Sequence, residues 1–529
     1  MDLFKIDYSQ VSEISKKDLA YIELQPFLKD FYKYTPSIES FKQAINDRKK
    51  YPVNRNVLVD SLKADYSTIS PTNLQSSNID LLKEDNSFTI ITAHQPSLLG
   101  GPLYYIFKIC SVINLCKQLK ESYPEQNFVP VFISGGEDHD FEEINHLQLF
   151  GKRIEWEKEA SGPVGRLDVE GLDDVITHAE EILGDNEDAK QIIKSFKDAL
   201  SGASNYSDFV FKWVNELFGK YGVLVVRMDK HAYKKELIPI FKKEITEQFS
   251  QPFVVDTQNK LEQHNFKNQA YAREINLFYL GDGGRLRIEK DGDKYIIVDG
   301  TSVFNEEELL NELEAKPENF SPNVIMRPLM QEVCLPNLAY VGGGGEIAYW
   351  LERKSQFEAV GVFFPMLIRR NSAMILDGSS QKQLKNLDFT IEDIFKEEDA
   401  LIRDYIEAHS EVDISLEESK HSIEKSFETI AAKSKEVDPT LEKSVLAEMT
   451  KVLKNIDHME SRIRRSIKAK EEVHVNRIKK LKDKLFPGHG LQERKDNFME
   501  FYGRHGNEWI TELTEVMNPL DRQFYILAL

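Results

Sequence analysis

Three short apolar runs constrain the fold of this chain more than any other feature. They cover residues 88–93, 128–134 and 222–228, and are rich in valine, isoleucine and phenylalanine. Amphipathic stretches with helical spacing separate the runs, for example residues 103–120. Strands that are joined by helical crossovers lie parallel in one sheet. The sequence therefore predicts an α/β fold with a parallel-sheet core.

The first apolar run leads into a glycine turn and then into a helical pattern. Residues 88–93 continue into His94-Gln95-Pro96 and Gly100-Gly101-Pro102. Strand, glycine turn and helix form the opening unit of a Rossmann-like fold, which binds ligands beyond the carboxyl ends of its strands. Polar residues at those strand ends are therefore the first candidates for a functional site.

The character of the sequence changes several times along the chain. Residues 286–298 read as a β-hairpin, the α/β pattern returns near Asn323, and from about Ser379 the chain is helical and highly charged. We predict five segments: a first part of the Rossmann-like core with a helical insertion (1–275), a small inserted β-containing module (276–322), a second part of the core (323–378), a helical coiled-coil arm (379–486) and a C-terminal segment that docks on the core (487–529).

A heptad pattern marks the helical arm. Its apolar positions alternate spacings of three and four, with Glu460 at one position; they are Leu446, Met449, Leu453, Ile456, Ile463 and Ile467. Asp438-Pro439 divides this helix from an upstream helix of the same period, which predicts an antiparallel helical hairpin. Spacing leaves open whether the seam pairs within the chain or with a second subunit, so a homodimer is a hypothesis.

Composition narrows the class of protein. A formal net charge of -20 argues against a nucleic-acid partner, because phosphate binding needs a positive face. The three scattered cysteines predict no disulfide framework and no cysteine metal pair, and Cys110 and Cys116 are expected to be buried. No apolar run approaches the length of about 18 residues that spans a membrane, and the N-terminus lacks the apolar region of a signal peptide. We predict a cytoplasmic protein that handles small molecules and has no membrane partner.

The first candidate site is the turn after residues 88–93. Free N–H groups at the following helix start, with glycines that allow close approach, suit a phosphate, and His94 could stabilise the charge on it. The alternative is a tight turn whose Gly100 and Gly101 serve packing, with His94 as a hydrogen-bonded cap.

The second candidate site is Glu137-Asp138-His139-Asp140, just past the second run. Carboxylates beside an imidazole can take a proton from an attacking amine or hold a divalent ion. His139 and His146 would share a face if the segment were helical, which makes zinc conceivable, although no metal site is assigned. The alternative is an acidic helix start with Asp138 as its cap.

The third candidate site surrounds four consecutive glycines, Gly342 to Gly345. Such a run costs conformational entropy unless backbone must approach a ligand or another backbone, and Glu346 could bind a ligand amine. The alternative is a flexible connector. The substrate-binding candidates here are Asn337, Tyr340, Gly343, Gly344, Glu346 and Tyr349.

Together these motifs resemble the family of bacillithiol biosynthesis cysteine-adding enzymes. Residues 92–108, 130–146, 327–350 and 490–494 carry the resemblance, in the order of the family. This chain has Ala93-His94-Gln95 where the family usually has Gly-Gln-Gln, and Gly344 where it usually has proline.

The resemblance implies a Rossmann-like core similar to class I aminoacyl-tRNA synthetases, with connecting-peptide insertions and a coiled-coil dimerisation arm. It also implies a carbon–nitrogen ligase that joins the cysteine carboxylate to the amine of glucosaminyl malate, in the last step of bacillithiol biosynthesis. Since a carboxylate is a poor electrophile, we expect ATP or another activating nucleotide.

The predicted roles follow from the motifs and the resemblance together. They are catalysis by His94, Asp138, His139 and Asp140; cofactor binding by His94, Gln95, Gly100, Gly101 and Lys108; and substrate binding by Glu137 and the six residues of the third site. The chain has no Lys-Met-Ser-Lys-Ser-like loop, which such synthetases use on ATP, so the nucleotide, its product and a metal requirement stay open. Two other functions also stay open: a nucleotidyltransferase-like enzyme acting on another small substrate, and an inactive nucleotide-binding scaffold.

Overall fold

The computed structural model describes residues 1–281, 284–298, 302–409 and 415–529. Two compact units divide the chain. The first contains Met1–Met374 and Gly490–Leu527, and the second contains Ile375–His489 and Ala528–Leu529. The five segments expected from the sequence divide the chain more finely than these two units do, so the segments stay predictions.

The strands are named in chain order. They are β1 (Asp2–Ile6), β2 (Ser87–His94), β3 (Asn127–Ser134), β4 (His146–Leu149), β5 (Lys152–Glu155), β6 (Leu224–Arg227), β7 (Leu277–Gly281), β8 (Gly284–Asp291), β9 (Lys294–Ile297), β10 (Val303–Asn305), β11 (Phe320–Pro322), β12 (Asn337–Gly342), β13 (Met366–Arg369), β14 (Ala373–Leu376) and β15 (Phe524–Ala528).

The α-helices are named in the same way. They are α1 (Lys16–Ile22), α2 (Phe41–Arg48), α3 (Arg55–Tyr66), α4 (Asn73–Leu81), α5 (Tyr104–Ser122), α6 (Leu172–Leu183), α7 (Glu187–Ser201), α8 (Tyr206–Phe218), α9 (His231–Glu236), α10 (Ile238–Glu247), α11 (Ser250–Glu262), α12 (Glu306–Ala315), α13 (Arg327–Cys334), α14 (Gly344–Leu351), α15 (Lys354–Val360), α16 (Gly378–Asn386), α17 (Glu398–His409), α18 (Glu417–Val437), α19 (Pro439–Lys470), α20 (Glu472–Leu485) and α21 (Met499–Val516).

A five-stranded parallel sheet forms the centre of the first unit. Its strand order is β13-β12-β2-β3-β6, and each neighbouring pair is parallel. Numbered along the chain, the order is 5-4-1-2-3, which is the arrangement of a Rossmann-like sheet. The order reverses between β2 and β12, where such sheets leave a crevice at their carboxyl ends. The predicted α/β fold with a Rossmann-like parallel core is therefore confirmed.

Burial explains why these runs form strands. All of β12 and all but the last residue of β2 are buried, and α5 packs against β2 and β3. Strands covered on both faces read as continuous apolar runs rather than as alternating ones. This is why the three runs stood out in the sequence.

An antiparallel sheet with the order β10-β9-β8-β7-β11 follows in the chain. The predicted hairpin is confirmed, since β8 and β9 pair directly on either side of Gly292. Arg285, near the start of β8, donates from Nε to Ser321 Oγ at 3.1 Å and from Nη2 to Pro322 O at 3.0 Å, both on β11. These bonds fix the position of the Arg285 guanidinium.

The described residues of the second unit are mostly helical, apart from the ends of β14 and β15. Helices α18 and α19 pack against each other on either side of Asp438, so the predicted helical hairpin is confirmed. Glu460, the polar position of the seam, binds Lys420 on the other helix at 2.9 Å. Leu446 and Ile463 remain 36% and 38% exposed, so the hairpin does not bury its whole apolar stripe. The side chain of Ile467 lies outside the described part.

The three cysteines are buried and form no disulfide. Burial raises the pKa of all three thiols. Cys110 and Cys116 are small apolar residues of the core, as expected. None of the described helices combines the length and the apolar character needed to cross a membrane.

Candidate active site

A cavity of about 340 Å³ opens at the carboxyl edge of the central sheet. This is the size range of small-molecule sites. We call it the active-site cavity; its chemically important lining residues are His94, Gln95, Glu137, Asp138, Arg285, Arg327, Glu346 and Tyr349. Three separate stretches of the sequence therefore meet in one crevice, together with the hairpin that carries Arg285.

His94 ends β2, and hydrogen bonds occupy both nitrogens of its ring. Nδ1 lies 2.9 Å from the carbonyl oxygen of Gln95, and Nε2 lies 3.0 Å from the hydroxyl of Tyr104. A carbonyl can only accept, so Nδ1 carries the proton and Nε2 accepts from Tyr104. Burial, followed by the charge of Lys108, lowers the pKa of His94 to about 3. His94 is therefore neutral at pH 7.

Asp138 lies in the loop after β3 and is bound from several sides. Its carboxylate accepts from Gln95 Nε2 at 2.9 Å and from its neighbour His139 N at 2.8 Å, and Arg285 Nη1 lies 3.4 Å away. Burial alone would raise the pKa of Asp138, but Arg285 and these hydrogen bonds hold it below its ordinary value. Asp138 is therefore an ionised hydrogen-bond acceptor facing the cavity.

Glu346 lies in the first turn of α14, and three groups bind its carboxylate. Oε2 accepts from Gly343 N at 2.8 Å and lies 2.6 Å from Lys108 Nζ, while Oε1 accepts from the Tyr340 hydroxyl at 2.6 Å. Burial opposes ionisation, but Lys108 and these bonds lower the pKa of Glu346 to about 2. A carboxylate has about four acceptor positions, and the described residues occupy three of them, two on Oε2 and one on Oε1.

Two arginines supply positive charge to the cavity. Arg285 lies beside Asp138, and its side chain is only 7% exposed. Arg327, at the start of α13, has no carboxylate within ion-pair distance among the described residues. Burial opposes its charge, but Tyr349, Tyr340 and Asp138 raise the pKa of Arg327. Arg327 is therefore a charged group in the cavity with capacity to bind an anion.

Gly100 and Gly101 do not line the cavity. Both have a positive φ, of 84° and 53°. The Gly100 N–H donates to Ser97 O, and the Gly101 N–H donates to Leu98 O. A Cβ on Gly100 would lie 2.7 Å from the Phe498 ring. These N–H groups are thus not free for a phosphate, and the packing interpretation of this turn fits the structure.

His139 and Asp140 are exposed and line a neighbouring cavity rather than the active-site cavity. His139 Nδ1 lies 3.2 Å from Arg285 Nη1 and 3.4 Å from Asp138 Oδ1, so the ring adjoins two residues of the active-site cavity without lining the cavity itself. Residues 135–145 contain no helix, so the alternative of a helix start capped by Asp138 is wrong. The shared helical face proposed for His139 and His146 is wrong for the same reason. No group of His, Cys, Asp and Glu in the described part is placed to hold a metal ion.

Most of the remaining candidates line the active-site cavity or bind a residue that lines it, and one lies far from it. Glu137 is on the cavity wall, paired with the buried Lys234. The Glu346 carboxylate is bound by Lys108, Tyr340 and Gly343, as described above. Asn337 is buried at the amino end of β12 and donates to Glu332 Oε1 at 2.7 Å, so it is remote from the carboxyl edge.

The run of four glycines is helical from Gly344 onward, rather than a flexible connector. Gly344 is buried against Asp18, whose carboxylate would lie 2.2 Å from an added Cβ. The absence of a side chain at position 344 therefore makes room for Asp18. Gly344 does not line the cavity.

Sequence reasoning missed the two cavity arginines as site residues. Arg327 lies in a stretch that carries the resemblance but receives no role there, and Arg285 lies just before the residues that predict the hairpin. A basic residue within a mixed strand such as β8 carries no signal that its side chain will reach Asp138, which is 147 positions away in the sequence. The Arg-Pro start of a helix after a strand run could have singled out Arg327.

Comparison with known proteins decides the family. A model described as "Bacillithiol biosynthesis BshC, N-terminal Rossmann-like domain" matches residues 1–371. A second, "Bacillithiol biosynthesis BshC, C-terminal coiled-coil domain", matches residues 373–529. The chain belongs to the BshC family. The resemblance stated from the motifs is thereby confirmed, as is the coiled-coil character of the C-terminal region.

Relatives from the BshC family match along nearly their whole length. A protein named "Putative cysteine ligase BshC" from Flavobacterium psychrophilum is 40% identical over 528 residues, covering 99% of this chain and 98% of the relative. Proteins of the same name from Christiangramia forsetii and Bacillus mycoides are 39% and 28% identical, and cover 99% and 94% of this chain and 98% and 95% of their own lengths.

A solved structure of a "putative arginyl t-RNA synthetase" from Campylobacter jejuni is also similar. It is 10% identical, with a TM-score of 0.22, and covers 85% of this chain and 99% of that chain. So low a score supports no argument, and the similarity of the BshC fold to class I aminoacyl-tRNA synthetases stays a prediction.

Proposed function

We propose that the chain is a carbon–nitrogen ligase that joins the carboxylate of L-cysteine to the amine of glucosaminyl malate, as the last step of bacillithiol biosynthesis. One observation carries the proposal: the carboxylates of Asp138 and Glu346 and the guanidiniums of Arg285 and Arg327 line a single small cavity at the reversal point of a Rossmann-like sheet. Such a site offers places for two amines and for an anion. The relatives named cysteine ligase support the choice of substrates.

Asp138 orients the sugar amine in this proposal. Its lowered pKa makes it a poor base at pH 7 but a good acceptor for the N–H groups of an amine. Holding the amine through its hydrogens directs the nitrogen lone pair at the cysteine carbonyl carbon. Positioning of this kind contributes much of the rate of an acyl transfer.

Glu346 and Arg327 hold the cysteine. The fourth acceptor position, on Glu346 Oε1, suits the ammonium of an amino acid. Arg327, which lacks a carboxylate partner in the described part, faces the negative charge of the reacting carboxyl group. Neutral His94 keeps Tyr104 in place rather than supplying charge.

The cavity suits an anionic activating group better than the glycine turn does. Arg327 and Arg285 would hold its phosphate, whereas the N–H groups of Gly100 and Gly101 are already bonded. An activating nucleotide, with ATP as the first choice, would supply the leaving group that a free carboxylate lacks. The sugar amine nitrogen would then attack the cysteine carbonyl carbon, the bond from that carbon to the phosphate leaving group would break, and the amine proton would pass to the departing phosphate or to solvent.

Mass spectrometry of the purified chain with cysteine, glucosaminyl malate and ATP tests the proposal. We expect the amide of cysteine and glucosaminyl malate. A different adenylated product would favour a nucleotidyltransferase-like enzyme instead. Nucleotide binding without turnover would favour an inactive scaffold. Parallel reactions that omit one component show which substrates the product requires.

A further inference from the structure

A second cavity, of about 320 Å³, lies beside the active-site cavity. The two share the lining residues Ser134, Gly136, Met228 and Asp229, so one extended molecule can occupy both. The second cavity lies beyond the carboxyl ends of β3 and β6, where Ser134 and Arg227 are register partners. We call it the basic cavity because of its charge.

Three cations and one carboxylate line the basic cavity: Arg166, Arg227, Lys230 and Asp229. Two further carboxylates do not line the cavity but bind its cations: Asp65 pairs with Arg227 and with Lys230, the latter at 2.5 Å, and Asp208 pairs with Arg227. The groups that line the cavity are therefore mainly cationic, and the carboxylates that pair with Arg227 and Lys230 lie outside the lining, in a chain whose formal net charge is -20. A lining of mainly cationic groups favours an anionic ligand over a cationic one.

The amino end of α8 adds to this preference. Asn205, the N-cap of this 13-residue helix, and Ser207 in its first turn both line the basic cavity. Helix amino ends carry partial positive charge and bind carboxylate or phosphate groups. The helix dipole therefore favours an anionic ligand, as the arginines do.

Ser134 gives an independent sign of a ligand. It is only 4% exposed, and its hydroxyl finds no hydrogen-bond partner among the described residues. Buried hydroxyls are rarely left unbonded, because the lost hydrogen bond costs free energy. Ser134 lines both cavities, and rotation of its side chain turns the hydroxyl toward a bound molecule.

We infer that the basic cavity binds the two carboxylates of the malate end of the amine substrate. The sugar amine then lies at Asp138 in the active-site cavity, and the malate extends past Ser134 toward Arg166. This inference rests on the proposed function for the identity of the substrate. It assigns to Arg166, Arg227, Lys230 and Ser134 the recognition of malate rather than the chemistry.

Arg166→Gln tests the assignment with little risk to the fold. Arg166 is half-exposed and binds Asp229 with two hydrogen bonds of 2.8 and 2.9 Å. Calorimetric titration of the full chain with glucosaminyl malate should show a Kd raised about tenfold, because one charge-assisted hydrogen bond is lost. The Kd of methyl glucosaminide, which has the amine but no carboxylate, should change less than about twofold.

Lys117→Gln is the matched control. Lys117 is 53% exposed and pairs with Glu515 at 2.6 Å, so the variant removes the same charge from a surface ion pair. It should leave both Kd values unchanged. Ser134→Ala is a second variant that removes only the unbonded hydroxyl. It should raise the Kd of glucosaminyl malate severalfold, by the loss of one hydrogen bond, without lowering the Tm.

The result that overturns the inference is an unchanged Kd for glucosaminyl malate in both Arg166→Gln and Ser134→Ala. Weaker binding of inorganic phosphate or ATP in Arg166→Gln, with the Kd of glucosaminyl malate unchanged, would also overturn it and assign the cavity to a phosphate. Failure of the proposed function is a separate observation: the wild-type chain would then form no amide, whatever these titrations show.

Discussion

Asp138 and Glu346 are both ionised carboxylates in the active-site cavity, but their neighbours give them different functions. Asp138, in the loop after β3, is held by Gln95, His139 and Arg285 and faces the cavity. Glu346 is held by a buried lysine, a tyrosine and a backbone N–H. In the proposed function, the first holds the substrate amine that extends from the basic cavity, and the second holds the amino acid beside β12.

Asp138→Asn should lower kcat/KM for amide formation about 100-fold, because the amine loses a charged acceptor that positions it. The amide side chain keeps the size of the residue, so the Tm should change little. Asp60→Asn, an exposed site on α3, is the control and should keep full activity. Steady-state kinetics with cysteine and glucosaminyl malate give the answer; unaltered kinetics in Asp138→Asn would remove this residue from the mechanism.

Lys108→Met should destabilise the protein by about 3–5 kcal/mol at pH 7, since it leaves the largely buried Glu346 carboxylate without its cation. The pKa of Glu346 is about 2 in the folded protein, against an ordinary 4.5. Its contribution to stability is therefore fully present above about pH 4.5 and is lost as the pH falls toward 2.

Urea unfolding of the wild type and Lys108→Met at several pH values checks this expectation. The difference in free energy of unfolding should be largest above pH 4.5, the ordinary pKa, and should shrink in more acidic buffer. Lys117→Met, in an exposed pair, should cost less than about 1 kcal/mol at any of these pH values. A constant difference between wild type and Lys108→Met down to about pH 2 would contradict the assignment of the ion pair.

At the scale of elements, the sequence predicted individual strands and helices, but it did not predict the contacts between segments that are distant in the sequence. The strands β2 and β3 and the helix α5 follow from apolar runs and helical spacing, which are properties of adjacent residues. Their ends place His94 and Asp138 at one edge of the sheet, as predicted. Asn337 was misplaced because the start of β12 was not distinguished from its end. Arg285 needed the docking of the hairpin, which no local pattern encodes.

Helix α14 allows a test of why its glycines are needed. Gly344→Ala should lower the free energy of unfolding by about 1–3 kcal/mol, because the new methyl overlaps the Asp18 carboxylate, itself held by Arg369. Gly345→Ala, one residue further on, meets no atom within 4 Å and should stabilise the helix by about 0.5–1 kcal/mol. Denaturant unfolding of both variants distinguishes them; equal effects would mean that the Asp18 contact does not limit position 344.

At the scale of the whole molecule, the helical hairpin of α18 and α19 leaves part of its apolar seam exposed. Leu446 and Ile463 lie on this seam, and Met459 is 59% exposed nearby. An apolar stripe that one hairpin cannot cover favours pairing with a second copy, which agrees with the homodimer expected from the heptad pattern. The dimer stays a prediction.

Light scattering of the purified chain should give about twice the monomer mass of 61.1 kDa. Leu446→Lys should shift the mass toward the monomer, because a charge would have to be buried in the seam. Lys443→Glu, at an exposed position of α19, should remain dimeric. A monomeric wild type would refute the predicted assembly.

The burial of all three cysteines has a consequence for a protein that handles cysteine as a substrate. Oxidation proceeds through an accessible thiolate, and the described chain presents none. The protein should therefore not form a mixed disulfide with its own substrate, and thiol-directed alkylating agents should leave it active. A cell whose small-thiol pool has been depleted by oxidants would still hold this catalyst in reduced form, ready to rebuild the pool.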